Sequence, residues 1–212
     1  MARLRKSVGL ASLVYVITWI VGLAVWPSNL SVTSTGQAVV TAYAAHRLPA
    51  TVQFVLVEGV AALALGVVVM GLASRAARTI GLAACCISLL QCLIGVVLVT
   101  AVSSPGHVKA TGTLFDAINR LDGTKMLTLA ALIATIGSAR RRMRLPGWLA
   151  GEGIVAWAAL LASGAGYLAQ DGSWANAAAA SLPLLLLWVL GVGLTLRRNR
   201  RLVLHPFPRT AA

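Results

Sequence analysis

The chain of 212 residues is 58% apolar and only 11% charged, with a mean hydropathy of +0.86, which excludes the polar surface of a soluble globular domain. Its net charge of +13 sits in short basic clusters between apolar runs, a pattern that marks membrane topology and not a nucleic-acid-binding face. Cys85, Cys86 and Cys92 share one apolar run at neither metal-ligand nor redox-motif spacing, so they read as packing residues and imply no disulfide framework.

A hydrocarbon layer of about 30 Å needs about 20 mostly apolar helical residues, because unpaired backbone groups there cost several kcal/mol each. Six stretches qualify: Val8 to Trp26, Thr51 to Ala73, Thr79 to Val102, Lys125 to Ala139, Gly147 to Leu168 and Ala177 to Leu196. The fourth is short and begins inside the preceding segment. The expected fold is an all-α integral membrane protein, a six-helix transmembrane bundle over residues 1–201 with a short cytoplasmic tail over 202–212. If the N-terminus is inside, fourteen of the 18 basic residues fall on that side. Only Arg47, Lys109, Arg120 and Lys125 fall outside, so both termini are expected in the cytoplasm and the protein in the cell membrane. Two long outer loops, from Pro27 to Ala50 and from Ser103 to Thr124, contrast with tight inner turns, and long loops on a short-looped bundle tend to be lids or site walls.

The first span follows Arg3, Arg5 and Lys6, but Leu23-Ala24-Val25-Trp26 is no small-residue cleavage site, so it is expected to be retained. Tyr15, Thr18, Trp19, Gly22 and Trp26 run along one of its sides. The second span holds the one acidic residue well inside an apolar stretch: Glu58, roughly 12 Å from Ala50 at about 1.5 Å per residue. A charged group at mid-span costs about 2.5 to 3.5 kcal/mol on insertion scales, so Glu58 is expected to face the bundle as a neutral carboxyl. Thr51, Phe54, Ala61, Ala62 and Leu65 share its face. Small residues there leave room for a cavity or for a close helix contact.

In the third span Gln91 lies near mid-depth with Ser88 and Gly95 on its face, a candidate partner for Glu58 or a solute. The second outer loop ends in a helical pattern from Gly112 to Lys125, in which Asp116, Asn119 and Asp122 recur every third residue. Two carboxylates and an amide are a magnesium donor set, but the spacing matches no specific motif and Asp116 to Arg120 reads as an i,i+4 ion pair; no metal is assigned. Trp157 in the fifth span and Trp188 in the sixth are deep rings suited to packing or to a pocket wall. No nucleophile-elbow, zinc, phosphate-loop or dinucleotide signature is present, and no cofactor is expected.

A small basic multi-span chain with Glu58 in the run Gln53-Phe54-Val55-Leu56-Val57-Glu58-Gly59, followed by an outer aspartate, resembles the integral-membrane terpene cyclases of bacterial indole-terpenoid and fungal meroterpenoid pathways. The resemblance implies a metal-independent reaction in which a carboxylic acid protonates an epoxide or alkene of a lipophilic prenylated substrate, which then cyclises through a carbocation. It implies Glu58 as proton donor, Asp116 or Asp122 as its partner, and Tyr15, Trp19, Phe54 and Trp157 as cavity wall, with Gln91 and Asn119 as further substrate-contacting candidates. A neutral buried carboxyl is a usable acid. Two other classes fit the residues: a proton-coupled small-solute transporter using Glu58 and Gln91, and a scaffold subunit docking through small-residue faces.

Overall fold

A computed structural model describes residues 2–27, 30–139 and 145–198; the expected tail over 202–212 and the basic cluster at 140–144 lie outside the described residues. Every described element is helical. The long helices are α1 (Ala2–Val25), α3 (Arg47–Met70), α4 (Arg75–Val97), α5 (Val108–Ser138), α6 (Gly147–Ala169) and α8 (Ala178–Arg198). Two shorter ones, α2 (Gly36–Ala45) and α7 (Gly172–Ala175), lie in connections. Five stretches, Ser7–Val25, Arg47–Met70, Arg75–Ala101, Gly147–Ala169 and Gly172–Arg198, are long and apolar enough to cross a membrane.

The long helices pack as a closed ring. Each lies against the next in chain order, α1 on α3, α3 on α4, α4 on α5, α5 on α6, α6 on α8, and α8 returns to α1. Short connections make neighbours in sequence neighbours in space. Side-chain caps define the turns: Ser74 accepts the Ala77 N–H at the start of α4, and Thr35 accepts that of Ala38 at the start of α2. Gln170, at φ 54, ends α6 in the left-handed conformation, a common helix stop.

The fourth expected span is the far half of a longer helix. Lys125 does not begin it; α5 starts at Val108, and its 31 residues carry Asp116, Asn119, Asp122 and Lys125 on unbroken helix. Hydropathy starts counting where the charges stop, whereas the helix continues through them, with Asp122 and Lys125 paired at its middle. The first outer loop also holds structure. α2 buries Val39, Val40 and Tyr43 and lies on the first turns of α5, where Gly36 and Gly112 let the two backbones meet: a methyl group on Gly36 would come 2.5 Å from the Val108 carbonyl oxygen.

Two apolar clusters stack along the bundle. The one beneath α2 joins Trp26, Val39, Tyr43, Leu98, Phe115 and Ile118; the larger one, towards the other end, joins Tyr15, Ala62, Leu65, Leu129, Leu160 and Trp188 among others. On α3 and α5 the charged residues fall between them: Glu58 between Phe54 and Ala62, Asp122 and Lys125 between Ile118 and Leu129.

α5 and α6 touch through glycine at this level. A methyl group on Gly123 would come 2.8 Å from the Gly164 carbonyl oxygen and 3.0 Å from the Leu168 nitrogen. Backbone atoms cannot step aside, so Gly123→Ala should separate the helices and cost about 1–3 kcal/mol. Thermal unfolding in detergent should show a clear loss for Gly123→Ala and none for Gly151→Ala, where nothing lies within 4 Å; equal stabilities for the two would contradict this packing.

Candidate functional site

Glu58 projects from the widest turn of its helix. Residues Val55–Val60 form a π turn inside α3, closed where the Ala61 N–H donates to Leu56 O, five residues back. One added residue in a turn rotates the rest of the helix about its axis, a device often found at functional sites. Glu58 lies on the interior face, 6% exposed.

Three carboxylate oxygens surround one ammonium. Lys125 Nζ lies 2.7 Å from Glu58 Oε1, 2.8 Å from Glu58 Oε2 and 2.7 Å from Asp122 Oδ1. Both Glu58 oxygens accept hydrogen bonds from the ammonium, and Asp122 adds a second ion pair. Ser88 Oγ, from α4, adds a 2.6 Å hydrogen bond to Glu58 Oε2. The Trp19 ring of α1 lies 5.8 Å from Nζ, within cation–π range, and stands edge-on to Tyr15. Four long helices therefore converge on this one cation, which is 4% exposed. With two carboxylates and one ammonium, the cluster carries one formal negative charge.

The cluster separates two hollows. Towards α2 a cavity of about 460 Å³ is lined by Tyr43, Gln53, Phe54, Glu58, Phe115, Asn119, Asp122, Tyr167 and Asn176, with Leu30, Ser31 and Val32 at its edge. On the other side a void of about 40 Å³ lies among Tyr15, Trp19, Ala62, Ser88, Lys125 and Ser181, room for a water or two. Of the two carboxyl groups that line the larger cavity, Asp122 is the more open, its side chain 23% exposed against 8% for Glu58. Asn119, one helical turn earlier on α5 and 5% exposed, lines the same cavity with a buried Nδ2 that finds no acceptor among the described residues. Burial and the Asp122 charge hold the Tyr43 phenol above its usual range, which keeps it a neutral hydroxyl at the cavity roof.

Several expected site residues are here. Glu58, Asp122 and Asn119 share the cavity with Phe54, and Tyr15 and Trp19 line the smaller void. Phe54 has its place because α4 carries Gly95 opposite; any Cβ there would overlap the ring. Others are elsewhere. Gln91 does not bond Glu58; its Nε2 donates 3.2 Å to Ile118 O, and Ser88, one turn away, takes the expected place. Asp116 lines neither hollow, and among the described residues the ion pairs are those of Lys125, so the Asp116–Arg120 pair is not formed. Trp157 is 38% exposed and borders a separate groove with Ile133, Gly153 and Trp188. Glu58 faces the bundle interior as expected, with Lys125 against its carboxyl group.

Lys125 is the residue that sequence reasoning missed, having counted it as an outer topology marker. The signal was present, since the every-third-residue stripe of Asp116, Asn119 and Asp122 continues to position 125. Tyr43, Tyr167 and Asn176 had no such signal, because each reaches the cavity through tertiary placement of a connection or a helix end. Comparisons with protein-family models, curated proteins and solved structures give no match, so the chemistry of these side chains carries the functional reading.

Removing one member of a buried ion pair leaves an uncompensated charge and typically costs about 3–5 kcal/mol, whereas replacing both is far milder. Lys125→Met should strongly lower the unfolding temperature, and Lys125→Met with Glu58→Gln should recover much of it. A double variant no more stable than Lys125→Met would contradict the pairing.

Proposed function

We propose that this chain is a six-span membrane carrier, with both termini cytoplasmic, that couples proton movement to passage of a small solute through the cavity beneath α2. α5 is the sixth span in this reading. Its mid-helix charges are matched within the bundle, and the cost of inserting a charged residue falls when it pairs in the interior. The distribution of arginine and lysine supports the orientation, and counting Lys125 as internal makes the outer side poorer still in basic residues.

The observation that carries the reading is an ion cluster standing between two hollows. A carrier needs a barrier whose closed form is stable and whose release depends on ligand or proton. One ammonium shared by carboxylates from two helices is such a barrier. A proton or cation taken up at Asp122 changes the charge that Lys125 balances and, with it, the strength of the Lys125–Glu58 link between α5 and α3. Intramembrane carboxylates in proton relays work through this kind of exchange.

A second reading is favoured by a different observation. Tyr43, Phe54, Phe115 and Tyr167 line the cavity that Asp122 enters, and rings around an acid suit a protonation-initiated terpene cyclase. The acid would then be Asp122, because both oxygens of Glu58 face Lys125.

Proteoliposomes enclosing a pH-sensitive dye, presented with a panel of cationic, neutral and anionic solutes, separate the two. At least one solute should drive proton movement that Asp122→Asn abolishes. Silence across the panel, with cyclised product formed from a prenylated epoxide by the same membranes, would replace the carrier by the cyclase.

A further inference from the structure

We infer that the solute is a small lipophilic amine bearing an oxygen acceptor two or three bonds from its nitrogen, held by Asp122 and Asn119. The inference deepens the carrier reading and rests on its use of the larger cavity as the solute site.

Three properties of the cavity point to this chemistry. First, its ionic wall is negative: the carboxyl groups of Asp122 and Glu58 line it, and the cluster they form with Lys125 keeps one formal negative charge after pairing. A cation completes that charge balance, whereas an anion would meet the carboxylate with its compensating ammonium already engaged. Second, Asn119 is 5% exposed and its Nδ2 has no acceptor among the described residues. A buried unmade hydrogen bond costs about 1–3 kcal/mol, so the amide is satisfied when a ligand supplies oxygen. Third, four rings, Tyr43, Phe54, Phe115 and Tyr167, line it beside the polar Gln53 and Asn176, and their faces suit an apolar body and an ammonium.

Spacing joins the two polar contacts into one ligand. Asn119 and Asp122 stand at i and i+3 on α5, which places their Cβ atoms about 5–6 Å apart on one face. A short N–C–C–O unit reaches both, ammonium on the Asp122 carboxylate and oxygen on Asn119 Nδ2. The volume of about 460 Å³ lies within the usual range of small-molecule sites, about 300–1,000 Å³.

Binding of four probes to the full chain in lipid nanodiscs, read against empty nanodiscs by titration calorimetry, tests this without transport. The probes are 2-amino-1-phenylethanol, phenethylamine, 2-phenylethanol and phenylacetate. Charge-assisted and neutral hydrogen bonds differ in worth, so phenethylamine should bind at least about tenfold more tightly than 2-phenylethanol. The amino alcohol should gain a further two- to tenfold, roughly, over phenethylamine, and phenylacetate should bind weakest. Asn119→Ala should erase the gain from the hydroxyl and leave phenethylamine unchanged; should that variant fail to fold, the order of the four probes on the unaltered chain still decides. The alcohol or the carboxylate binding as tightly as the amine, or no probe binding, overturns the assignment. Amine binding without proton movement in vesicles upholds this site and removes the carrier, and proton movement driven by neutral or anionic solutes without amine binding does the reverse.

Discussion

The structure depends on the way one buried ammonium is matched. Lys125 sits in the apolar middle of a helical ring, where an isolated charge would be prohibitive. It is held there because Glu58 from α3 and Asp122 from its own helix present three oxygens within 2.8 Å. That requirement fixes the rotation of α5 about its axis, the depth of α5 against α3, and the face of α4 that supplies Ser88. Buried ion pairs are weak evidence of net stability, since hydrophobic replacements often serve as well.

Around that cluster the packing makes and preserves space. The π turn over Val55–Val60 turns Glu58 inward, Gly95 admits the Phe54 ring, and Gly123 and Gly164 bring α5 and α6 together at the level of the cluster. α2, clamped by Gly36 against Gly112, brings Tyr43 to the cavity and sets it tilted against Trp26, with ring centroids 5.2 Å apart. The cavity is thus a property of several elements at once. Asp122 and Asn119 line it from one helix, α5.

Much of this was legible in the chain. The apolar runs locate α1, α3, α4, α6 and α8 to within a few residues, because a long apolar stretch has only one way to satisfy its backbone out of water. Helical periodicity put Phe54, Ala61, Ala62 and Leu65 on the face of Glu58, and Ser88 with Gln91 on one face of α4. Hydropathy failed at α5, where a helix with its polar groups matched from outside its own sequence looks like a loop. It failed at Lys125 for the same reason. Topology counting assigns a lysine at the edge of an apolar run to the outside, and only the pairing with Glu58, 67 residues away, explains its position inside. Trp157 shows the converse. Depth along a helix was readable, but which side of α6 faced the site was not, and that side faces a separate groove.

The proximity of Lys125 and Glu58 can be measured directly in a bilayer. The chain has three lysines and two glutamates, so protein labelled with ¹⁵N at lysine Nζ and ¹³C at the glutamate carboxyl gives few candidate pairs in solid-state NMR. Dipolar recoupling should yield one strong nitrogen-to-carboxyl correlation, absent in Lys125→Met. A well-folded sample with no such correlation, or one that persists in Lys125→Met, would contradict the account.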